Sequence, residues 1–180
     1  MTTKDSELQA WRKALKERAL RLLARREHSQ KELADKLFNP PPSPWKQRLP
    51  TPPEELTEPE RHNEVLKLVH QLEAKNLQSD ARFAEDLTRQ YLRKGKGPLA
   101  LHQAYQEHQL DPDITQPLLR PLDNLWQQQA DRVRVKRFGD QPAENKKLAA
   151  KMQRFLASRG FTAAQIAQAV FQPSSSKDQE

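Results

Sequence analysis

The chain contains no cysteine, so neither a disulfide frame nor a thiolate metal site can exist, and a cytoplasmic location is expected. Only four glycines occur in 180 residues, against an abundance of Leu, Ala, Gln, Lys, Arg and Glu, a balance that favours helix over strand. No stretch approaches the roughly 20 apolar residues of a membrane span, so no membrane role is expected. The opening MTTKDSELQAW lacks the charged-then-apolar plan of a signal peptide. Hydrophobic residues make up 35%, lean for one large core but sufficient for small helical units that each bury one stripe. Catalytic patterns are missing as well. The five histidines form no H-E-x-x-H, and His102 and His108, six apart, fall on different helical faces. No Ser/His/Asp order or carboxylate pair has supporting context, so neither an enzyme nor a cofactor is expected.

What the chain does have is an internal repeat. Residues 21–38, RLLARREHSQKELADKLF, align without a gap on residues 154–171, RFLASRGFTAAQIAQAVF. Identical pairs include Arg21/Arg154, Leu23/Leu156, Ala24/Ala157, Arg26/Arg159, Ala34/Ala167 and Phe38/Phe171. Each copy reads as a helix, a tight break, and a second helix opened by a capping box: Ser29 with Glu32, Thr162 with Gln165. A weaker third copy follows when Gly97 is set against Ser29, which puts Leu101 and Tyr105 where Leu33 and Leu37 stand. Duplication of this kind points to stacked helical units that present binding surfaces.

Periodicity predicts nine helices. The first runs from Ser6 to about Arg26 and the second from Ser29 to Phe38, stopped by Asn39-Pro40. Residues 40–59 hold eight of the fourteen prolines, a density no helix survives, with Trp45 as their one sticky residue. This segment reads as a surface insertion, with a peptide dock as its alternative role. The third helix spans Glu60 to Lys75 and turns Val65, Leu68, Val69 and Leu72 inward. The fourth starts at Ser79 or Asp80 and buries Phe83, Leu87 and Tyr91. Lys94-Gly95-Lys96-Gly97-Pro98 ends it; lacking the G-x-x-x-x-G-K-[ST] spacing, this is a helix break and not a phosphate loop. Pro98 then opens the fifth helix. A short sixth follows Asp111-Pro112, the seventh covers Leu122 to Phe138, the eighth stops at Gly160, and the ninth closes at about Gln172. The expected fold is all-α and elongated, with three tandem three-helix, helix-turn-helix-like repeats. Residues 1–38 and 60–75 make the first, around the 39–59 insertion; 76–121 make the second and 122–172 the third. A disordered tail occupies 173–180.

Charge is uneven. Residues 1–38 carry ten Lys/Arg against six Asp/Glu, residues 61–125 balance, and residues 126–172 carry nine against three. The ends are therefore the candidate grip on a polyanion or an acidic protein surface. Arg132, Arg134, Lys136 and Arg137 on the seventh helix, with Lys146, Lys147 and Lys151 on the eighth, form one candidate cluster. Arg25 and Arg26 serve the other end, and Arg154 and Arg159 recur from Arg21 and Arg26. A solvated, solubilising face is the plain alternative.

The middle segment carries a family resemblance. Leu77-Gln78-Ser79-Asp80-Ala81-Arg82-Phe83-Ala84-Glu85, followed by Arg93-Lys94-Gly95-Lys96-Gly97-Pro98, resembles the central signature of RecX regulatory proteins. Ala19–Ser29 and Arg154–Thr162 resemble that family's opening and closing helices, so the likeness covers about residues 8–38 and 60–172. Gln78, Ser79, Ala100, His102 and Gln109 depart from its usual residues. The resemblance implies a regulatory protein that binds RecA filaments on single-stranded DNA; the chain is expected to be a monomer. It would inhibit their recombinase, ATPase and coprotease activities, and so modulate DNA repair and the SOS response. It also implies that the basic residues above meet acidic RecA surface or phosphate of single- or double-stranded DNA. The alternative is a helix-turn-helix protein that binds duplex DNA directly.

Overall fold

The computed structural model describes residues 3–39 and 51–171. Trp45, the prolines at 40, 41, 42, 44 and 50, and the tail 173–180 lie outside the described residues. Among the described residues there are nine α-helices, one 3₁₀ turn and no strand, so the all-α expectation holds. The helices are α1 (Thr3–Leu23), α2 (Gln30–Phe38), α3 (Glu58–Ala74), α4 (Asp80–Arg93), α5 (Pro98–Glu107), α6 (Pro112–Leu119), α7 (Trp126–Phe138), α8 (Lys146–Ser158) and α9 (Ala163–Phe171). The chain divides into two compact units, residues 1–83 and 84–180.

In the first unit α1, α2 and α3 pack around one core. Trp11, Leu15 and Ala19 line α1 at four-residue intervals, Leu33, Ala34 and Leu37 face them from α2, and Val65, Val69 and Leu72 from α3. Such spacing puts each set on one helical face, and each large side chain so buried contributes about 1.5–3 kcal/mol. Leu68, expected inside, is only half-buried and packs against this core. α1 begins at Thr3, so Ser6 lies within the first turn instead of capping it. The helix also stops at Leu23, three residues short of Arg26, where the chain turns to draw His28 into the interior. α3 starts earlier than expected, because Thr57 and Glu60 form a reciprocal capping box around Pro59.

The second unit contains two helical groups. In α4 to α6, Leu101, Ala104 and Tyr105 are buried, and the Tyr105 hydroxyl donates to Thr88 Oγ1, whose own proton goes to the Ala84 carbonyl. Leu87 and Tyr91, expected inside, are half-buried. Asp111 caps α6, accepting from the Asp113 amide at 2.8 Å. Beyond α6, Arg120–Leu122 wind into a 3₁₀ turn around Pro121, so α7 starts at Trp126 and not at Leu122. α7, α8 and α9 bury Ala130, Ala149, Met152, Leu156, Phe161, Ala169 and Val170 together. Leu148 and Phe155 pack on that core half-buried. As the spacing predicts, Gly160 takes a left-handed φ of 84°, and Phe161 folds back with its amide on the Leu156 carbonyl. Thr162 and Gln165 complete their capping box at 2.9 and 3.3 Å.

Candidate interaction surface

α8 places its charges by simple helical arithmetic. Ala149, Met152 and Leu156 hold the inward face, so Lys147, Lys151 and Arg154, at i, i+4 and i+7, share the opposite one. All three are exposed, as are Lys146, Lys136 and Arg137. Among the described residues no carboxylate lies within ion-pair distance of any of these six. On α7, Arg132 and Lys136 share a solvent face one turn apart, and Arg132 donates to Gln129 Oε1 at 2.7 Å.

Arg134 does not belong with them. It is 1% exposed, and its guanidinium donates to the carbonyls of Gly139 (2.8 Å), Gln141 (2.9 Å) and Asp140 (3.2 Å). A charge taken out of water needs such partners to be tolerated, and here the two terminal nitrogens have them while Nε has none among the described residues. The guanidinium ties down the loop after α7, so Arg134 is removed from the contact candidates. The signal was available in the spacing, since Arg134 stands four and eight residues after Ala130 and Trp126, both buried.

The remaining candidates divide by partner. Arg25 is exposed, with no carboxylate in ion-pair range among the described residues. Arg26 is committed: it grips the Glu32 carboxylate through both terminal nitrogens and donates to the Glu27 carbonyl at 2.8 Å. Lys36 reaches the same carboxylate at 2.8 Å. Burial pushes Glu32 upward, but Arg26 and Lys36 outweigh it and hold its carboxyl at about 2. Beside them His28 is buried, with Lys36 Nζ 3.2 Å from Nε2 and Arg26 O 2.9 Å from Nδ1. An ammonium can only donate, so the ring is neutral with its proton on Nδ1. Desolvation holds its pKa below the ordinary value.

Gln78, one of the departures noted above, is an interior linker. It donates to the His28 carbonyl at 3.0 Å and to Asp80 Oδ1 at 2.9 Å. Asp80 Oδ1 in turn accepts the first amide of α2, from Gln30, at 2.8 Å. Sequence reasoning missed this network because its partners are fifty residues apart.

Arg159 has a structural contact too. It donates to the Lys94 carbonyl at 2.8 Å and lies 5.1 Å above the Phe155 ring. Beside it the main chain forms a joint. The Gly97 and Leu99 amides at the start of α5 donate to the Arg159 and Gly160 carbonyls at 2.8 and 2.9 Å. A Cβ on Gly97 would meet the Gly160 carbonyl group, and one on Gly160 the backbone of Ala100. Those amides are therefore consumed, which agrees with reading Gly95–Pro98 as a helix break and not a phosphate cradle. Among the described residues no group of three or more His, Asp or Glu could hold a metal, and no helix is long and apolar enough to cross a membrane.

Helix–break–helix pairs placed in series define an all-helical tandem-repeat protein with a cationic exposed face. Family models match in that order: the first three-helix domain of RecX on residues 16–39, the second on 79–116 and the third on 126–170. The regulatory protein RecX of Acinetobacter baylyi is 37% identical over 147 residues, 82% of this chain and 80% of its own. That of Acidithiobacillus ferrooxidans is 38% identical over 154 residues, 83% and 84%. The crystal structure of RecX from Lactobacillus salivarius superposes with a TM-score of 0.63 at 18% identity, covering 90% of this chain and 95% of that one, which supports the fold. The chain belongs to the RecX family of regulatory proteins.

Proposed function

We propose that this protein binds the RecA filament on single-stranded DNA and lowers its recombinase, ATPase and coprotease activities, modulating DNA repair and the SOS response. It acts in the cytoplasm, as a monomer and without chemistry of its own. Membership of a family of regulatory proteins supports the role. The observation that carries the contact is the stripe Lys147, Lys151 and Arg154 on the solvent face of α8, with no carboxylate in ion-pair range among the described residues. Lys136, Arg137 and Arg25 are further exposed candidates. Repeats that each make a modest contact can resist a filament's conformational cycle simply by binding one state better.

The duplex-reading alternative has less behind it. A helix laid in a major groove needs Arg, Lys, Asn or Gln on its outer face. α5 and α9 offer exposed glutamines (Gln103, Gln106 and Gln168) but no Lys or Arg to hold phosphate, and the cations of α2 are paired within the helix, Lys31 with Asp35 and Lys36 with Glu32.

The test is DNA-dependent ATP hydrolysis by RecA, titrated with this protein and with the triple variant K147E/K151E/R154E. Exposed charge pairs contribute about 0.2–1 kcal/mol each. Losing three should raise the half-inhibitory concentration roughly 3- to 150-fold, with helicity unchanged. Equal inhibition by parent and variant would return the stripe to solubility; no inhibition by the parent would end the reading.

A further inference from the structure

The two ends of the internal repeat differ at three positions whose side chains meet in the first copy. His28, Glu32 and Lys36 stand where Phe161, Gln165 and Ala169 stand in the closing copy. His28 and Phe161 are both buried, each at the break between paired helices, so packing at this place requires only a flat ring. Ala169 is buried, and so is Ala104 at the matching place in the middle copy. Gln165 closes on its own cap, accepting from the Thr162 amide at 2.9 Å. The first copy thus has three ionisable groups in place of an apolar ring, a neutral amide and a methyl group. Lys36 Nζ lies 2.8 Å from Glu32 Oε1 and 3.2 Å from His28 Nε2, between carboxylate and ring.

The charged groups around the ring are Arg26, Glu32 and Lys36, with Asp80 one hydrogen bond further off through Gln78, which donates to the His28 carbonyl. A second proton on His28 must go to Nε2, because Nδ1 already serves the Arg26 carbonyl. Nε2 would then aim an N–H at an ammonium 3.2 Å away, two donors of like charge face to face. One of them has to leave. The ring is buried and fixed at Nδ1, and Arg26 holds Glu32 through both terminal nitrogens. Lys36, with 34% of its side chain in water, is the member free to swing out. A buried imidazolium needs an anion beside it, and Glu32 supplies one. We propose that His28, Glu32 and Lys36 form an acid-operated exchange, in which protonation of His28 transfers Glu32 from Lys36 to the ring and α2 releases the Lys36 ammonium to solvent. The first unit then carries one more free cation, so its hold on a polyanion tightens in acid. Desolvation, with the charges of Arg26 and Lys36, holds His28 below its ordinary 6.5, so the exchange runs below that pH and reverses above it. None of its steps involves RecA, and it stands or falls apart from the filament reading.

The experiment is an NMR pH titration of the full chain, isotope-labelled in histidine and lysine, in the parent, His28→Phe and Lys36→Ala. Each variant takes a residue that the closing copy itself uses at the matching position, so both are compatible with the fold. The Lys36 Nζ signal should shift with the same midpoint as the His28 ring, below 6.5, while helicity holds. Lys36→Ala should raise the His28 midpoint by roughly 1–3 units, because no ammonium then competes with the imidazolium. In His28→Phe the Lys36 signal should not move at that midpoint. Immobilised heparin serves as the polyanion: between neutral pH and a pH below the midpoint, the salt needed for elution should rise more for the parent than for His28→Phe. A His28 midpoint unmoved by Lys36→Ala, or a Lys36 signal that moves alike with and without the imidazole, overturns the proposal. Equal gains in heparin retention overturn it as well. So does a loss of helicity at the midpoint, because protonation would then unfold the unit instead of exchanging partners.

Discussion

Three glycines separate backbone strain from close contact, and substituting each by alanine measures the joint between α5 and α8. Gly139 has φ 89° and ψ 177°, a region almost closed to other residues, yet a Cβ there would meet nothing within 4 Å. Gly139→Ala should therefore cost strain alone, about 1–3 kcal/mol. Gly97 is the converse: its φ of −94° suits any residue, but a Cβ would lie 2.6 Å from the Gly160 carbonyl carbon. That neighbour is main chain and cannot swing aside, so Gly97→Ala should cost about 2–3 kcal/mol by overpacking. Gly160 combines both, with φ 84° and a Cβ that would stand 2.5 Å from the Ala100 nitrogen. Gly160→Ala should lose about 3–6 kcal/mol, the sum of the two effects. Urea unfolding followed by helicity gives the stabilities, and hydrogen exchange at the Leu99 amide reports the joint itself. That amide should exchange faster in Gly97→Ala and Gly160→Ala and be unchanged in Gly139→Ala. The double variant G97A/G160A should cost less than the sum, because one joint is broken only once. A Gly97→Ala protein within about 0.5 kcal/mol of the parent would refute the close approach, since overpacking against main chain costs more than that.

Two further predictions concern charge. Arg134→Met strands three loop carbonyls and should lower stability by about 2–4 kcal/mol, while Arg132→Ala changes it by less than about 0.5; equal losses in thermal melts would contradict the burial of one and the exposure of the other. Acid titration should act on the first unit in two stages. His28 is held neutral, its pKa below the ordinary 6.5, so its contribution is complete above 6.5 and is lost as pH falls through its depressed value. Glu32, lowered from 4.5 to about 2, contributes above 4.5 and loses that contribution as pH drops toward 2. Glu32→Gln should therefore be less stable than the parent by roughly 1–2 kcal/mol at neutral pH, with the gap closing below pH 4.5. A gap independent of pH would mean that Arg26 and Lys36 do not hold the carboxylate.

The parts legible in the sequence are those whose physics is local. A cap at Ser29 or Thr162 and a left-handed Gly160 depend on residues within a turn, and each formed where the spacing put it. Pro98 after Gly97 opened α5 for the same reason. Boundaries failed where a neighbouring signal was stronger. The proline density up to Pro59 hid the Thr57/Glu60 box, although Pro in a first helical turn is favourable. Charge was the least legible property. Arg132 and Arg134 read alike in sequence, yet one faces water and the other is buried, and only its register against Ala130 tells them apart. Gln78 looked like a departure from a family pattern and is a buried bridge between His28 and Asp80. Its partners come together only through the tertiary fold.

The meeting of α5 with the end of α8 is written in peptide groups, which every amino acid supplies, and in two positions that tolerate no side chain. Surface residues on either module can drift without altering the angle at which the pair is set. A chimaera that exchanges the whole stretch from Gly97 to Gly160 should inherit that angle intact. One that imports either half alone must bring a glycine to the seam or lose it.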